Sequence, residues 1–270
     1  MNYHSDEWIY DKVIEHYEEA LHHFDNNKIV GIFLQGSQNY GLDYEESDVD
    51  TKLIVVPTFK DIAMNKQPVS TTHFRVNDEH IDFKDIRLYM QTFRKQNLNF
   101  LEILFTPYFI INDDYRDEWN RLIKAREEIA HMNPYQAVKS MQGIAKEKYH
   151  AMCHKYPKRM HMIEEFGYDP KQLHHLLRVE EYLKNYLVGR SYEECLQPRD
   201  SEYLIAVKKG LHTLDEAKDL ADEALADIDL VCEKFFEIVK KPEEDAMVRA
   251  LLDDVQYNIM RIAVKGELSK

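Results

Sequence analysis

GIFLQGSQNYGLDYEESDVDTKLIV, residues 31–55, holds an apolar run ending at Gly36, a Gly-Ser turn, a polar loop, and two aspartates that open a second apolar run. KIVGIFLQ, residues 28–35, is short, apolar and closed by glycine, the pattern of a buried strand entering a tight turn. VDTKLIVVP, residues 49–57, predicts a second strand stopped by Pro57. Side chains alternate across a strand, so Asp48 and Asp50 leave by one face while Val49 points to the core. Two carboxylates that close repel each other, and a divalent cation relieves the repulsion. Mg²⁺ takes one or two carboxylates together with substrate phosphates, which makes Mg²⁺ (or Mn²⁺) the expected cofactor. Gly36 allows the backbone to approach a ligand without a Cβ in the way, and Ser37 offers a hydroxyl and an N–H to phosphate oxygens. The turn therefore reads as a triphosphate seat. Asp82, between Ile81 and Phe83 on a predicted neighbouring strand, is the candidate third carboxylate, with Asp78 and Asp85 close by.

Asp-x-Asp alone carries little weight in an acidic chain, where most such pairs are solvated loop residues. The order Gly-Ser, ten residues, Asp-x-Asp, set between two strands, is far more restrictive. Gly36 and Gly41 have the glycine spacing of a P-loop, but Leu42 and Asp43 stand where that motif requires Lys and Ser or Thr. That excludes a P-loop ATPase.

Working outward, 270 residues with 44% hydrophobic content can bury a core, and 8 Gly and 8 Pro favour long helices over a loop-rich all-β chain. A net charge of −14 argues against general nucleic-acid coating, which needs an excess of Lys and Arg. Cys153, Cys195 and Cys232 are odd in number and far apart, so neither a disulfide framework nor a CxxC site is expected. With a polar, acidic amino terminus and no long apolar run, the expectation is a cytoplasmic protein without a membrane partner.

Residues 6–25 predict an amphipathic helix, and residues 69–84 a hairpin whose turn is Asn77-Asp78. From Ile86 onward the periodicity is helical, with Asp169 and Pro170 marking one helix start sharply. The expected fold class is α+β: an αβ unit over 1–110, then a helical unit over 111–270. On the helix after Pro170, Lys171, His175 and Arg178 fall at i, i+4 and i+7, a polar stripe able to grip phosphates or simply to face solvent; His174 fits almost as well. KEKYHAMCHKYPKRMH, residues 146–161, is the main basic cluster, with tyrosines able to stack on RNA bases, and equally an ordinary solvated helix end. His150 and His154 have metal-helix spacing but lack the accompanying Glu or Cys pair.

The Gly-Ser turn, the Asp-x-Asp pair and the later single Asp resemble the polymerase-beta nucleotidyltransferase superfamily. GSQNYGLDYEESDVDTK is similar to its RNA-repair-associated (RlaP-like) branch, as are LNFLEILFTP, residues 98–107, and GYDPKQLHHLLR, residues 167–178. The resemblance spans about residues 30–180. It implies a polymerase-beta-type catalytic domain with a mixed sheet, and transfer of a nucleoside monophosphate from a triphosphate to an acceptor hydroxyl, an RNA end above all, with release of pyrophosphate. By matching positions it implies that Asp48, Asp50 and Asp82 bind metal and are catalytic, and that Gly36, Ser37, Lys171, His175 and Arg178 contact nucleotide. Thr51 departs from the family pattern, standing where an apolar residue is usual, and Gln172-Leu173 replaces a more usual His-Ala. The alternatives are a non-catalytic nucleotide-binding or antitoxin-like protein on the same fold, and a helical ribonuclease. The second would use Arg126 and His131, but Glu127 stands where Asn, Asp or His is usual. Neither the transferred nucleotide, nor the oligomeric state, nor a role for residues 190–270 follows from the sequence.

Overall fold

The computed structural model describes residues 2–75 and 79–269, and the Asn77-Asp78 turn expected for the hairpin lies outside them. The fold is α+β, with a five-stranded mixed sheet and a largely helical remainder. The strands β1 (Ile29–Gln35), β2 (Asp50–Val55), β3 (Ser70–Phe74), β4 (His80–Asp85) and β5 (Phe109–Ile111) lie in the order β3-β4-β2-β1-β5. β2 and β4 run parallel, with Asp50 opposite His80 and Lys52 opposite Asp82; the other pairs are antiparallel. β5 has only three residues, too few for a periodic signal, and it fits because Gly31 leaves room: a Cβ there would sit 2.8 Å from the Ile110 carbonyl oxygen.

Both faces of the central strands β1 and β2 are buried, and one of them packs on the first helix. The helix Asp6–Ala20, capped by Ser5, lays Ile9 and Val13 against Leu53, Val55, Ile81 and Phe83. Thr51 points to this same face, and its departure from an apolar residue has a local cause. Its hydroxyl pairs with Nδ1 of the buried His16 at 2.9 Å, while the Glu79 carboxylate accepts from Nε2 at 3.3 Å. A valine at position 51 would leave a buried imidazole nitrogen without that partner.

The chain divides into two compact units: residues 1–39, 43–132 and 244–270, and residues 40–42 and 133–243. The change therefore falls at Met132–Asn133, not near residue 110. Asn133 caps the helix Pro134–Met152, with proline in its first turn. The carboxy-terminal helix Ala246–Leu268 returns to the first unit, where Arg94 pairs with Asp253, Arg121 with Asp254, and Lys28 with Glu267. An amphipathic stripe records that a helix is covered on one side and leaves open which neighbour covers it.

In the second unit the helices Pro134–Met152 and Leu214–Ile238 pack on Pro170–Leu187, whose start is as expected: Asp169 accepts from the Lys171 N–H. The helix Pro134–Met152 stops short of Pro157, which disfavours helical backbone at the residue before it. Among the described residues no helix is long and apolar enough to cross a membrane.

Candidate functional site

Gly36 ends β1 with φ at +109°, a backbone conformation that L side chains rarely adopt, and its carbonyl accepts from Asn39 N–H to close the turn. The turn is tied down from three sides. Gln38, buried, donates from Nε2 to the Asp48 carbonyl at 2.8 Å; Asn39 donates from Nδ2 to the Leu34 carbonyl; Asn2 donates to the Gln38 carbonyl. Gln38 carries no motif signal of its own, yet it fixes the distance between the Gly-Ser turn and the first aspartate. The Ser37 hydroxyl has no hydrogen-bond partner among the described residues. A Cβ at Gly36 would meet only Gln38 Oε1, at 3.9 Å, so Gly36→Ala tests backbone strain without a clash. The expected cost is about 1–3 kcal/mol. Thermal unfolding should report that loss, with weakened binding of a non-hydrolysable ATP analogue if the relaxed turn no longer seats phosphate.

Val49 is in the core; Asp50, which opens β2, is half-buried, and Asp48, also half-buried, stands two residues ahead of it, before the strand begins. Asp82 shares the face of Asp50. It lies opposite Lys52 on the parallel neighbour, one pleat along from the Asp50–His80 pair. Asp85 belongs to the opposite parity and caps the helix Ile86–Arg94, accepting from the N–H, Nε and NH2 of Arg87, so it is committed elsewhere. Asp78 is outside the described residues.

The three acids do not form a ready cation cage; among the described residues no group of three or more His, Cys, Asp or Glu is disposed to hold a metal. They are interleaved with protein cations instead. His80 Nδ1 lies 2.7 Å from Asp50 Oδ1, and its backbone N–H donates to the same oxygen. That bond to Asp50 raises the His80 pKa against burial, with Asp82 and Asp48 adding to it, so all three carboxylates act on this imidazole. Asp82 accepts from the Thr72 hydroxyl at 2.6 Å and faces Lys52 Nζ at 3.4 Å. Burial pulls the Lys52 pKa down to about 8, opposed first by Asp82. The donor set nonetheless suits a hard divalent cation: oxygen-bearing side chains share one face, and basic groups stand where positive charge is needed.

In the second unit, Lys171, His175 and Arg178 cluster as the spacing predicts. Enclosure, together with His174, Lys171, Arg178 and Lys148, holds the His175 pKa well below that of an ordinary imidazole, which keeps the ring neutral. The stripe is thus a concentration of positive charge around an uncharged donor. Lys171 has no ion-pair partner among the described residues, and the Arg178 guanidinium lies 3.5 Å from the centre of the Tyr40 ring. His174 takes a different role: it is buried, its Nδ1 lies 2.8 Å from the Leu204 carbonyl, and burial pushes its pKa down to about 3.

The basic segment 146–161 is largely compensated. Lys146 pairs with Asp229, Lys148 with Glu147, and Tyr149 donates to Asp222. Arg159 forms a two-pronged pair with Asp169, the cap of the next helix. The His154 ring lies tilted between those of His150 and Tyr156, and among the described residues neither histidine joins a metal group. Arg126 lies over the Phe105 ring while His131 Nδ1 is bonded to the Glu127 carbonyl. A cavity of about 840 Å³ in this unit is lined by Glu180, Lys184, Arg190, Arg199 and Tyr203 and contains none of the expected site residues.

No family model and no curated protein matches this chain.

Proposed function

We propose that the chain is a metal-dependent nucleotidyltransferase of the polymerase-beta type, moving a nucleoside monophosphate from a triphosphate to an acceptor hydroxyl. The single observation that carries this is Asp50 and Asp82 on one sheet face with Asp48 two residues ahead of Asp50, and the Gly36 turn, at positive φ, tied by Gln38 to the Asp48 carbonyl. The motif resemblance supports it independently. Asp48 and Asp50 would hold Mg²⁺ or Mn²⁺, and Asp82 completes the acid face. Bound there, the ion would neutralise charge developing on the α-phosphate and orient it for in-line attack.

Ser37 orients the β and γ phosphates through its hydroxyl. Lys171, His175 and Arg178 offer the second unit's own phosphate-binding stripe, two fixed charges beside a neutral ring. The acceptor class expected from the resemblance is an RNA end. Because the charges of segment 146–161 are mostly met by acids, RNA recognition would have to draw on Lys155 and on groups elsewhere.

A second reading is favoured by one observation: the protein sets its own basic side chains, His80 and Lys52, against Asp50 and Asp82, as a non-catalytic nucleotide-binding or antitoxin-like protein would be free to do. Incubation with each triphosphate labelled at the α-phosphate, with Mg²⁺ or Mn²⁺ and total RNA or protein, separates the two. Label retained on one pool with pyrophosphate released is the expected result. Nucleotide binding without any transfer from the α-phosphate would overturn the transferase proposal and leave the second reading.

A further inference from the structure

Lys52 stands two residues beyond Asp50 on β2 and opposite Asp82 on β4, so all three side chains leave from one face of the sheet. It is 2% exposed, and a charge so enclosed persists only where its surroundings compensate it. Asp82 Oδ2 lies 3.4 Å from Nζ, and the Phe100 ring centre is 4.2 Å away. Lys84, on the same face, sets a second ammonium 4.1 Å from that ring, and Asp82 acts on it as well. Asp82's other oxygen accepts from the Thr72 hydroxyl.

The three acids are therefore unequal. Both Asp82 oxygens are committed to protein donors, one to the Lys52 ammonium and the other to the Thr72 hydroxyl. Asp50 is held through Oδ1 alone, by His80, and neither its Oδ2 nor the Asp48 carboxylate has a hydrogen-bond or ion-pair partner among the described residues. Oxygen donors available to an incoming cation are concentrated on Asp48 and Asp50.

We propose that this face takes one divalent cation, on Asp48 and Asp50, and that the Lys52 ammonium, fixed against Asp82, supplies the positive charge that a two-ion site would draw from a second metal. The inference rests on the nucleotidyltransferase reading and narrows it. A cation held in dry surroundings beside the reacting groups acts more strongly than one in water and needs no recruitment from solution. Lys52 acts here by placing charge; it is not assigned a proton transfer.

The test is the number of Mn²⁺ ions retained per chain at saturating α,β-methylene ATP, counted by equilibrium dialysis and by the electron paramagnetic resonance spectrum. The wild type should retain one ion with an uncoupled spectrum. Lys52→Met, which keeps an apolar stem and releases Asp82, should gain a second ion whose spectrum is broadened by spin coupling. Lys52→Arg, which keeps the charge, should stay at one. Two coupled ions in the wild type would overturn the proposal while leaving nucleotidyl transfer intact. One ion in both the wild type and a folded Lys52→Met protein would also overturn it, since Lys52 would not be what keeps Asp82 from metal. Should Lys52→Met fail to fold, Lys52→Gln, which also removes the charge, takes its place in the same count. Failure of the wild type to retain any Mn²⁺ with the analogue, or a count unchanged by Asp48→Asn, would remove the underlying reading together with this one.

Discussion

Asp48→Asn or Asp50→Asn is expected to lower α-phosphate transfer by roughly a thousandfold or more while leaving the chain folded. A metal-held carboxylate contributes several kcal/mol to stabilising charge in the transition state, and about 4 kcal/mol corresponds to that factor. The stability cost should be small for Asp48, which is half-buried and has no protein partner among the described residues. For Asp50 it should be somewhat larger, because His80 loses the acceptor of both its backbone N–H and its Nδ1. Removing either negative charge relieves repulsion with the other, which offsets part of this loss. Transfer rate, Mn²⁺ retention and the urea midpoint, measured on the same preparations, separate loss of chemistry from loss of fold. Activity within tenfold of the wild type in both variants would show that these acids do not hold the catalytic ion.

The second large effect concerns stability. Arg159 grips Asp169 with two bonds of 2.8 Å, and the Asp169 side chain is 3% exposed at the start of the helix that carries Lys171, His175 and Arg178. Removing one partner of a buried pair costs about 3–5 kcal/mol, and because Arg159 is itself one-third exposed, roughly 2–3 kcal/mol is the expectation for Arg159→Ala. The midpoint of thermal unfolding should fall by on the order of 5–10 °C. The pH dependence distinguishes this from a general loss of packing. Burial raises the Asp169 pKa, but Arg159, with the Gln172 amide and the Lys171 N–H, outweighs it, so the folded value lies below the usual one. In the wild type this stability is present above the unfolded carboxylate pKa of about 4 and disappears as pH falls through the lowered folded value. Without Arg159 the upward pull of burial is less opposed, and an ionised Asp169 becomes a burden that protonation lifts. The deficit of the variant should therefore be greatest near neutral pH and shrink as pH drops below about 4. A deficit independent of pH would show that Arg159 acts through packing alone. For the same reason, loss of RNA binding on reversing the charge of Arg159 would report a damaged helix start, and Lys155→Glu is the cleaner probe of an RNA surface.

Much of the site was legible because strand alternation is a local rule. Period two placed Val49 in the core and Asp50 on the other face, and Ile81 and Phe83 placed Asp82 outward on the next strand. Asp169-Pro170 announced its helix because capping chemistry is contained within a few residues. Other features had no local trace. β5 is three residues long, and its place beside β1 depends on Gly31, about eighty positions earlier. Thr51 stood out only as an exception until His16, on the first helix, provided its partner.

The sequence by itself determined the α+β class, the tight turn at Gly36 and the strand face by which Asp50 and Asp82 leave, since each follows from side-chain period or backbone chemistry within a short window. Tertiary structure alone decided what each acid meets. The parallel register of β2 and β4 sets His80 against Asp50 and Lys52 against Asp82, and residues about thirty positions apart acquire that pairing only when a sheet forms. It likewise decided that the helix Ala246–Leu268 belongs with the sheet and that the helical unit begins at Asn133, because an apolar stripe specifies burial and long-range packing selects the partner.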